Sequence, residues 1–372
     1  MALLNEIDRE VAAARLAAWL APRVAGGATV RIDAIDVPEA SGLSTETLLV
    51  DASWTGDDGP QASRLVARVA PRGEGIFPRY DLAREHDVLA ALGRLGAVPV
   101  PPVVGVEEDP RVLGSPFLVM GRVDGRAAAD DPPFTVEGWV LDLPVDRRAA
   151  LNERALAALA AVHAVDWRSA GLEALDPRRG DESFLDAQLR TWRETFAWAS
   201  AGEANPTVED GFAWLDEHRP ADEPDPVLAW GDARLGNLLV DDDQQVTAVL
   251  DWEMVTVGAP DLDLGWWLFI MRHHTEGIGV PAPAGFPSRD EVVARYRELT
   301  GREVRDVDYY EVLAAVRLSV LMHRAGRLMT ELGLLPADAP MRLSNPATHL
   351  LARLTGRPTP DAASQSFIGN RA

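Results

Sequence analysis

Three features of the sequence predict an α+β chain of two lobes. Short strand-like runs dominate residues 1–121, and helical periodicity dominates residues 122–372. Between the helical stretches of the second part lies one loop, Trp230-Gly-Asp232-Ala-Arg234-Leu-Gly-Asn237, with a carboxylate and an amide five residues apart. At 372 residues and 47% hydrophobic content, the chain can bury a core large enough for two lobes.

In the first lobe, residues 6–25 alternate acidic, basic and apolar positions at helical spacing and stop at Gly26-Gly27, which predicts a helix with a glycine terminator. Residues 30–37 and 46–54 read as strands joined by residues 38–45, and a turn over 55–60 leads to a third strand over 64–70. Residues 80–95 carry apolar side chains at 82, 88, 89, 92 and 95, an amphipathic helix capped by Gly96. The proline-rich run 98–104 is extended, and residues 116–120 form another strand. The order is therefore three strands, one helix and two strands.

Beyond residue 121 the pattern changes. Residues 126–144 cluster Asp, Pro and Gly and read as loop, whereas 146–165 form an alanine-rich helix. The next strand-like segment is the apolar run 226–230, which enters the loop. Leu238-Leu-Val240, a solvated turn over the acidic residues 241–243, and residues 246–250 read as a hairpin that returns Asp251 beside Asn237. Helices follow over about 260–273, 289–300, 308–333 and 345–356, and the polar tail from Arg357 is expected to fray.

Composition excludes several function classes. No apolar run approaches the roughly 18 residues of a membrane span, and the first residues lack a basic region and apolar core, so a cytoplasmic location is the default expectation. Without cysteine there is no disulfide framework, thiol nucleophile or thiolate metal site. The formal charge of −22 argues against nucleic acid and anionic membranes as partners and is compatible with a cationic substrate. All 36 basic residues are Arg; with no Lys, Schiff-base chemistry on the protein is excluded. His273, His274 and His323 lack ligand spacing with Asp or Glu, so zinc is not expected.

Asp232, Asn237 and Asp251 are the chemically informative trio. Phosphoryl transfer on a kinase scaffold uses one Asp to accept the acceptor's hydroxyl proton, and an Asn and a second Asp to hold metal ions that bridge the nucleotide phosphates. Arg234 can either face the transferring phosphoryl group, where negative charge must be stabilised, or pair with Asp263 or Glu253. Asp261 and Asp263 follow Pro260 at a helix start, where carboxylates cap backbone N–H groups, and capping is the expected role of Asp261. Trp266, Trp267 and Phe269 read as core or as a pocket wall.

The segments Leu65-Val-Ala-Arg68-Val-Ala-Pro71, Trp230 to Asn237, and Val249-Leu-Asp-Trp-Glu253 resemble the aminoglycoside phosphotransferase family of small-molecule kinases, which share the protein-kinase fold. They are most similar to an actinobacterial branch related to the kinase-like domains attached to some acyl-CoA dehydrogenases. The resemblance implies Asp232 as catalytic base and Asn237 and Asp251 as Mg²⁺ ligands. It places Arg68 where such kinases carry a phosphate-binding Lys, Glu85 as the ion-pair partner of Arg68, and Asp263 as the support of the catalytic loop. An exposed strand position is the other reading of Arg68. Ser41, Gly42 and Ser44 would cover the nucleotide, and Met120 and Val123 would flank the hinge facing the purine. The family usually carries His where this chain has Trp230; that His supports the metal-binding segment, and an indole can pack there instead.

The resemblance implies Mg²⁺-dependent transfer from ATP, or GTP, bound between the lobes, to a hydroxyl on a small molecule. Known acceptors in such families include aminoglycosides, choline, macrolides and hydroxyacyl-CoA esters. A nucleotide-binding pseudokinase is the alternative that Trp230 and the absent Lys favour. The oligomeric state is not legible.

Overall fold

The computed structural model describes residues 8–38 and 44–365, and the chain divides after Asp124 into two compact units. The first unit opens with α1 (Arg9–Val24), whose N-cap Asp8 accepts from the N–H groups of Glu10 and Val11. Then come β1 (Arg31–Asp36), β2 (Glu46–Gly56), β3 (Gly59–Val69), α2 (Leu82–Leu95), β4 (Val103–Glu107) and β5 (Phe117–Gly121). The sheet is antiparallel throughout, in the order β1-β2-β3-β5-β4.

β2 and β3 are longer than their sequence predicts. They pair without interruption from Glu46↔Val69 to Gly56↔Gly59, so the expected turn over 55–60 shrinks to Asp57-Asp58. Gly59, at φ +102°, lets the chain reverse so tightly. Alternate residues of the two strands, Leu48, Val50, Leu65 and Ala67, face inward and are covered by Leu16, Trp19 and Leu20 of α1. α2 is capped by the Asp81 side chain and ended by Gly96 in the left-handed region, as its sequence predicts.

The second unit contains α3 (Trp139–Asp142), α4 (Val145–His163), α5 (Phe184–Ser200), α6 (Pro206–Glu217), β6 (Val227–Ala229), β7 (Leu238–Val240), β8 (Val246–Val249) and β9 (Thr256–Gly258). It closes with α7 (Asp261–His273), α8 (Arg289–Thr300), α9 (Val307–Glu331) and α10 (Pro346–Thr355). α9 is buried along most of its length, and α5, α6, α7 and α10 pack against it.

Two departures from the sequence reading stand out. The 126–144 loop contains the short helix α3 and pairs Arg126 with Val240. α5 and α6 fill a region to which periodicity assigned nothing, although both carry start signals: a Ser183/Asp186 capping box, and Asn205 followed by Pro206. Past α10 the chain folds back, with Ser344 Oγ donating to the Ala362 carbonyl at 2.7 Å and Gln365 N to the Ser344 carbonyl at 3.0 Å. Among the described residues, no helix is long and apolar enough to cross a membrane.

Leu16 is fully buried between α1 and the sheet. Leu16→Ala is expected to cost about 2–5 kcal/mol through lost burial and the cavity left behind. A urea midpoint unchanged from wild type would show that α1 does not hold the sheet.

Candidate active site

β6 delivers the chain into the loop that begins at Trp230, and α7 holds that loop from behind. Asp263, in the first turn of α7 and wholly buried, accepts from Trp230 N at 2.6 Å and from Gly231 N at 2.8 Å. His163 of α4 lies with Nε2 2.9 Å from Asp263 Oδ2 and Nδ1 2.5 Å from the Tyr296 hydroxyl. A carboxylate offers only acceptors, so Nε2 is the protonated nitrogen and Tyr296 donates to Nδ1. Burial, reinforced by Asp263, pushes the Tyr296 hydroxyl above its ordinary value, which keeps it a donor. Gly231 stands at φ +92°, and a Cβ there would lie 2.1 Å from the Met254 carbonyl, so no other residue fits.

The loop side chains converge on Asp232. Its Oδ1 accepts from the Trp266 indole Nε1 at 2.7 Å, while Oδ2 accepts from Asn237 Nδ2 at 2.7 Å and Arg234 Nε at 2.9 Å. Asn237 Nδ2 also donates to the Asp232 carbonyl at 3.0 Å, which leaves the Asn237 amide oxygen to face elsewhere. The hairpin returns as its sequence predicts: Leu238 pairs with Val249, and Leu250 N donates to the Asn237 carbonyl at 2.9 Å. Asp251 therefore emerges beside Asn237, half-buried and at φ +60°, a left-handed conformation uncommon outside glycine. Trp230 donates its indole N–H to the Leu250 carbonyl at 2.8 Å, and Trp252 donates to the Val249 carbonyl at 3.1 Å. The two fully buried indoles thus brace the peptide that precedes Asp251.

Arg234 pairs with neither Asp263 nor Glu253, the two partners its sequence position offered. Asp263 is committed to the backbone, and Arg234 instead bridges Asp232 and Asp130. Burial works against the Arg234 charge, but Asp130 and then Asp232 outweigh it and raise the guanidinium above its ordinary value. Gly236 makes room for this bridge, since a Cβ there would lie 2.5 Å from Arg234 Nη1. Asp261 is also not the cap it was expected to be. Pro260 occupies the cap position, Asp261 is the first helical residue, and its Oδ1 is buried without a hydrogen-bond partner.

In the first unit Arg68 is not an exposed strand residue. Its side chain is 12% exposed, Nη1 donates to Glu85 Oε2 at 2.9 Å, and Nε donates to Thr45 Oγ1 at 3.3 Å. Met120 is buried on β5 between β3 and β4, and the N–H groups of Gly121 and Arg122, just before Val123, donate to the Pro102 and Arg64 carbonyls. Ser44 is half-buried; Ser41 and Gly42 lie outside the described residues.

Residues 40–299 match the phosphotransferase enzyme family. The chain belongs to that family. An Arabidopsis thaliana protein assigned as an acyl-CoA dehydrogenase is 29% identical over 277 residues, 70% of this chain. The chain spans 32% of that relative's length and 40% of a Mus musculus acyl-CoA dehydrogenase family member's. The solved structure of a Ralstonia eutropha protein assigned as an aminoglycoside phosphotransferase superposes with a TM-score of 0.65 at 24% identity, over 94% of this chain and 96% of that one. An aminoglycoside phosphotransferase solved as a ternary complex with AMP-PNP and hygromycin B gives a TM-score of 0.55 at 12% identity, covering 92% and 98%. These structures share the two-lobe, kinase-like α+β fold of the family.

Sequence reasoning missed Asp130 and Arg317, and it read Trp266 as core or a pocket wall without its bond to Asp232. Arg317 carried a signal, the single charged residue within the largely apolar run 312–322 of α9, and its Nη2 donates to the Gly231 carbonyl at 2.7 Å. Asp130 lay among other loop acids with nothing to single it out.

Burial raises the Asp261 carboxyl to about 6 from an ordinary 3.8, opposed by its own backbone N–H and more weakly by Arg297, with Asp306 adding to the effect. The folded carboxyl keeps its proton to a higher pH than the unfolded chain does. Its contribution is therefore full at low pH and is lost as pH rises from about 4 to about 6, a change of about 3 kcal/mol. Asp261→Asn should flatten that part of the stability–pH profile measured by urea unfolding. An unchanged slope would exclude Asp261 as its source.

Proposed function

We propose that this phosphotransferase transfers the γ-phosphoryl group of ATP, or GTP, to a hydroxyl on a small molecule with Mg²⁺ as cofactor. The observation that carries the reading is the convergence of Asp232, Asn237 and Asp251 from one loop and one hairpin. The donor set fits magnesium, because an amide oxygen and a carboxylate are hard ligands, and the Asn237 amide is turned by its bonds to Asp232 so that nitrogen is spent there. Bound between Asn237, Asp251 and the phosphates, Mg²⁺ would neutralise charge developing on the transferring group.

Asp232 acts as orienting base. Its Oδ2 already accepts two hydrogen bonds and Oδ1 accepts one, so the acceptor hydroxyl donates to the remaining lone pair of Oδ1. Arg234 holds Asp232 in place, and it brings a guanidinium to the edge of the site. Arg68, set by Glu85 and Thr45, holds the nucleotide phosphates in the absence of any lysine. Ser44 covers the nucleotide, while Met120 and Val123 flank the purine. AMP-PNP in the ternary complex of the same fold supports nucleotide use. Most of the rate enhancement then comes from positioning and charge neutralisation.

Aminoglycosides are one acceptor class, as hygromycin B in the ternary complex of the same fold suggests. A hydroxyacyl thioester is the second reading, favoured by the acyl-CoA dehydrogenase assignments of the curated relatives.

ADP release from Mg·ATP should be screened with aminoglycosides, amino alcohols and hydroxyacyl-CoA esters as acceptors. With the best of these, Asp232→Asn is expected to lower turnover about 10²–10⁴-fold. Nucleotide affinity should hardly change, because the base contacts the acceptor. Equal turnover in the variant and wild type would sink the assignment of Asp232.

A further inference from the structure

We propose that Trp266 is a positioning residue of the transfer site, its indole N–H fixing the orientation of the Asp232 carboxylate, with the buried Arg317 cation stacked on the ring to strengthen that grip. The kinetic consequence rests on the kinase reading above; the contact itself rests on geometry alone. Trp266 stands on α7 three residues after Asp263, so one short stretch of helix holds both the loop backbone and the loop's carboxylate. An indole nitrogen is a donor only, so its 2.7 Å contact must end on an accepting Oδ1 and cannot reverse. Without it, Oδ2 would still be held by Asn237 and Arg234, but the carboxylate could turn about that edge.

Arg317 explains why a tryptophan is there. Its guanidinium carbon lies 4.4 Å from the Trp266 ring centre and 5.2 Å from that of Trp192. Nη2 donates to the Gly231 carbonyl, whereas the buried Nε and Nη1 have no hydrogen-bond acceptor and are left to the aromatic faces. Burial pushes this guanidinium down to about 10, against Asp263 and Asp232, so it remains a cation at neutral pH. A cation over the ring face draws electron density from the indole, which makes its N–H a stronger donor toward Asp232.

The test uses the full chain with ¹⁵N-labelled tryptophan. The Trp266 indole resonance is identified as the one missing from Trp266→Phe, or by through-bond assignment if that variant folds poorly. It should move in Asp232→Asn; a resonance that stays put overturns the contact. In the kinetic arm, Mg·ATP consumption is followed with water alone and with the acceptor found by screening. Trp266→Phe keeps a ring under Arg317 but lacks the N–H. Its kcat should fall about 10- to 100-fold, the range for partners that orient an active-site group, with KM for Mg·ATP unchanged. In the Asp232→Asn background the same change should cost nothing further. A kcat equal to wild type, or an equal loss in both backgrounds, overturns the positioning role. Should the wild-type chain consume no nucleotide, the kinase reading falls instead, and the resonance alone decides the contact.

Discussion

Everything in the second unit's site depends on the buried carboxylate of Asp263. Both its oxygens accept backbone N–H groups from the loop, and His163 closes the arrangement from α4. Charge-assisted bonds of this kind contribute about 1.5–3 kcal/mol each, and losing the acceptor would strand two buried donors. The loop therefore has one path, over Gly231 and against Met254, and that path sets where Asp232 and Asn237 point. The loop that follows β6 and the helices α4 and α7, separated in sequence, meet on one side chain.

Two departures from the family's usual residues are absorbed, each by contacts within its own unit. Trp230, where His is usual, is fully buried and uses its indole N–H to hold the Leu250 carbonyl, so the segment entering Asp251 is still braced from the loop. Arg68 takes a strand position usually held by lysine, and Glu85 and Thr45 fix its guanidinium by two different nitrogens. A planar fork held at two points is well ordered for binding phosphate oxygens in pairs. Neither substitution removes a chemical group on which the proposed transfer relies.

How much of this was legible in the sequence follows from the range of each signal. The strands and α2 announced themselves through period-two and helical patterns, and the hairpin through a turn between apolar runs, because those signals are local. α5 and α6 were overlooked although their caps were written in Ser183, Asp186, Asn205 and Pro206, and although α5 carries a buried stripe through Leu185, Leu189, Trp192 and Ala199. Asp232, Asn237 and Asp251 were visible because their spacing is itself the motif. Trp266, Asp130 and Arg317 were not, as each reaches the site from a distant element, and only the packing of α7 and α9 shows what a buried Trp or Arg is for. The partners of Arg234 were misjudged for a related reason: Asp263 was already satisfied by backbone groups that sequence does not reveal.

The central claim is that the loop and hairpin hold a metal–nucleotide complex beside Asp232. A crystal structure of the chain with Mg·AMP-PNP tests it most directly. The account predicts Mg²⁺ at about 2.0–2.1 Å from the amide oxygen of Asn237 and from a carboxylate oxygen of Asp251. It also predicts the Asp232 carboxylate facing the γ-phosphoryl group with its bond to Trp266 intact. Nucleotide bound with the metal on other residues, or with Asn237 turned away, would contradict it.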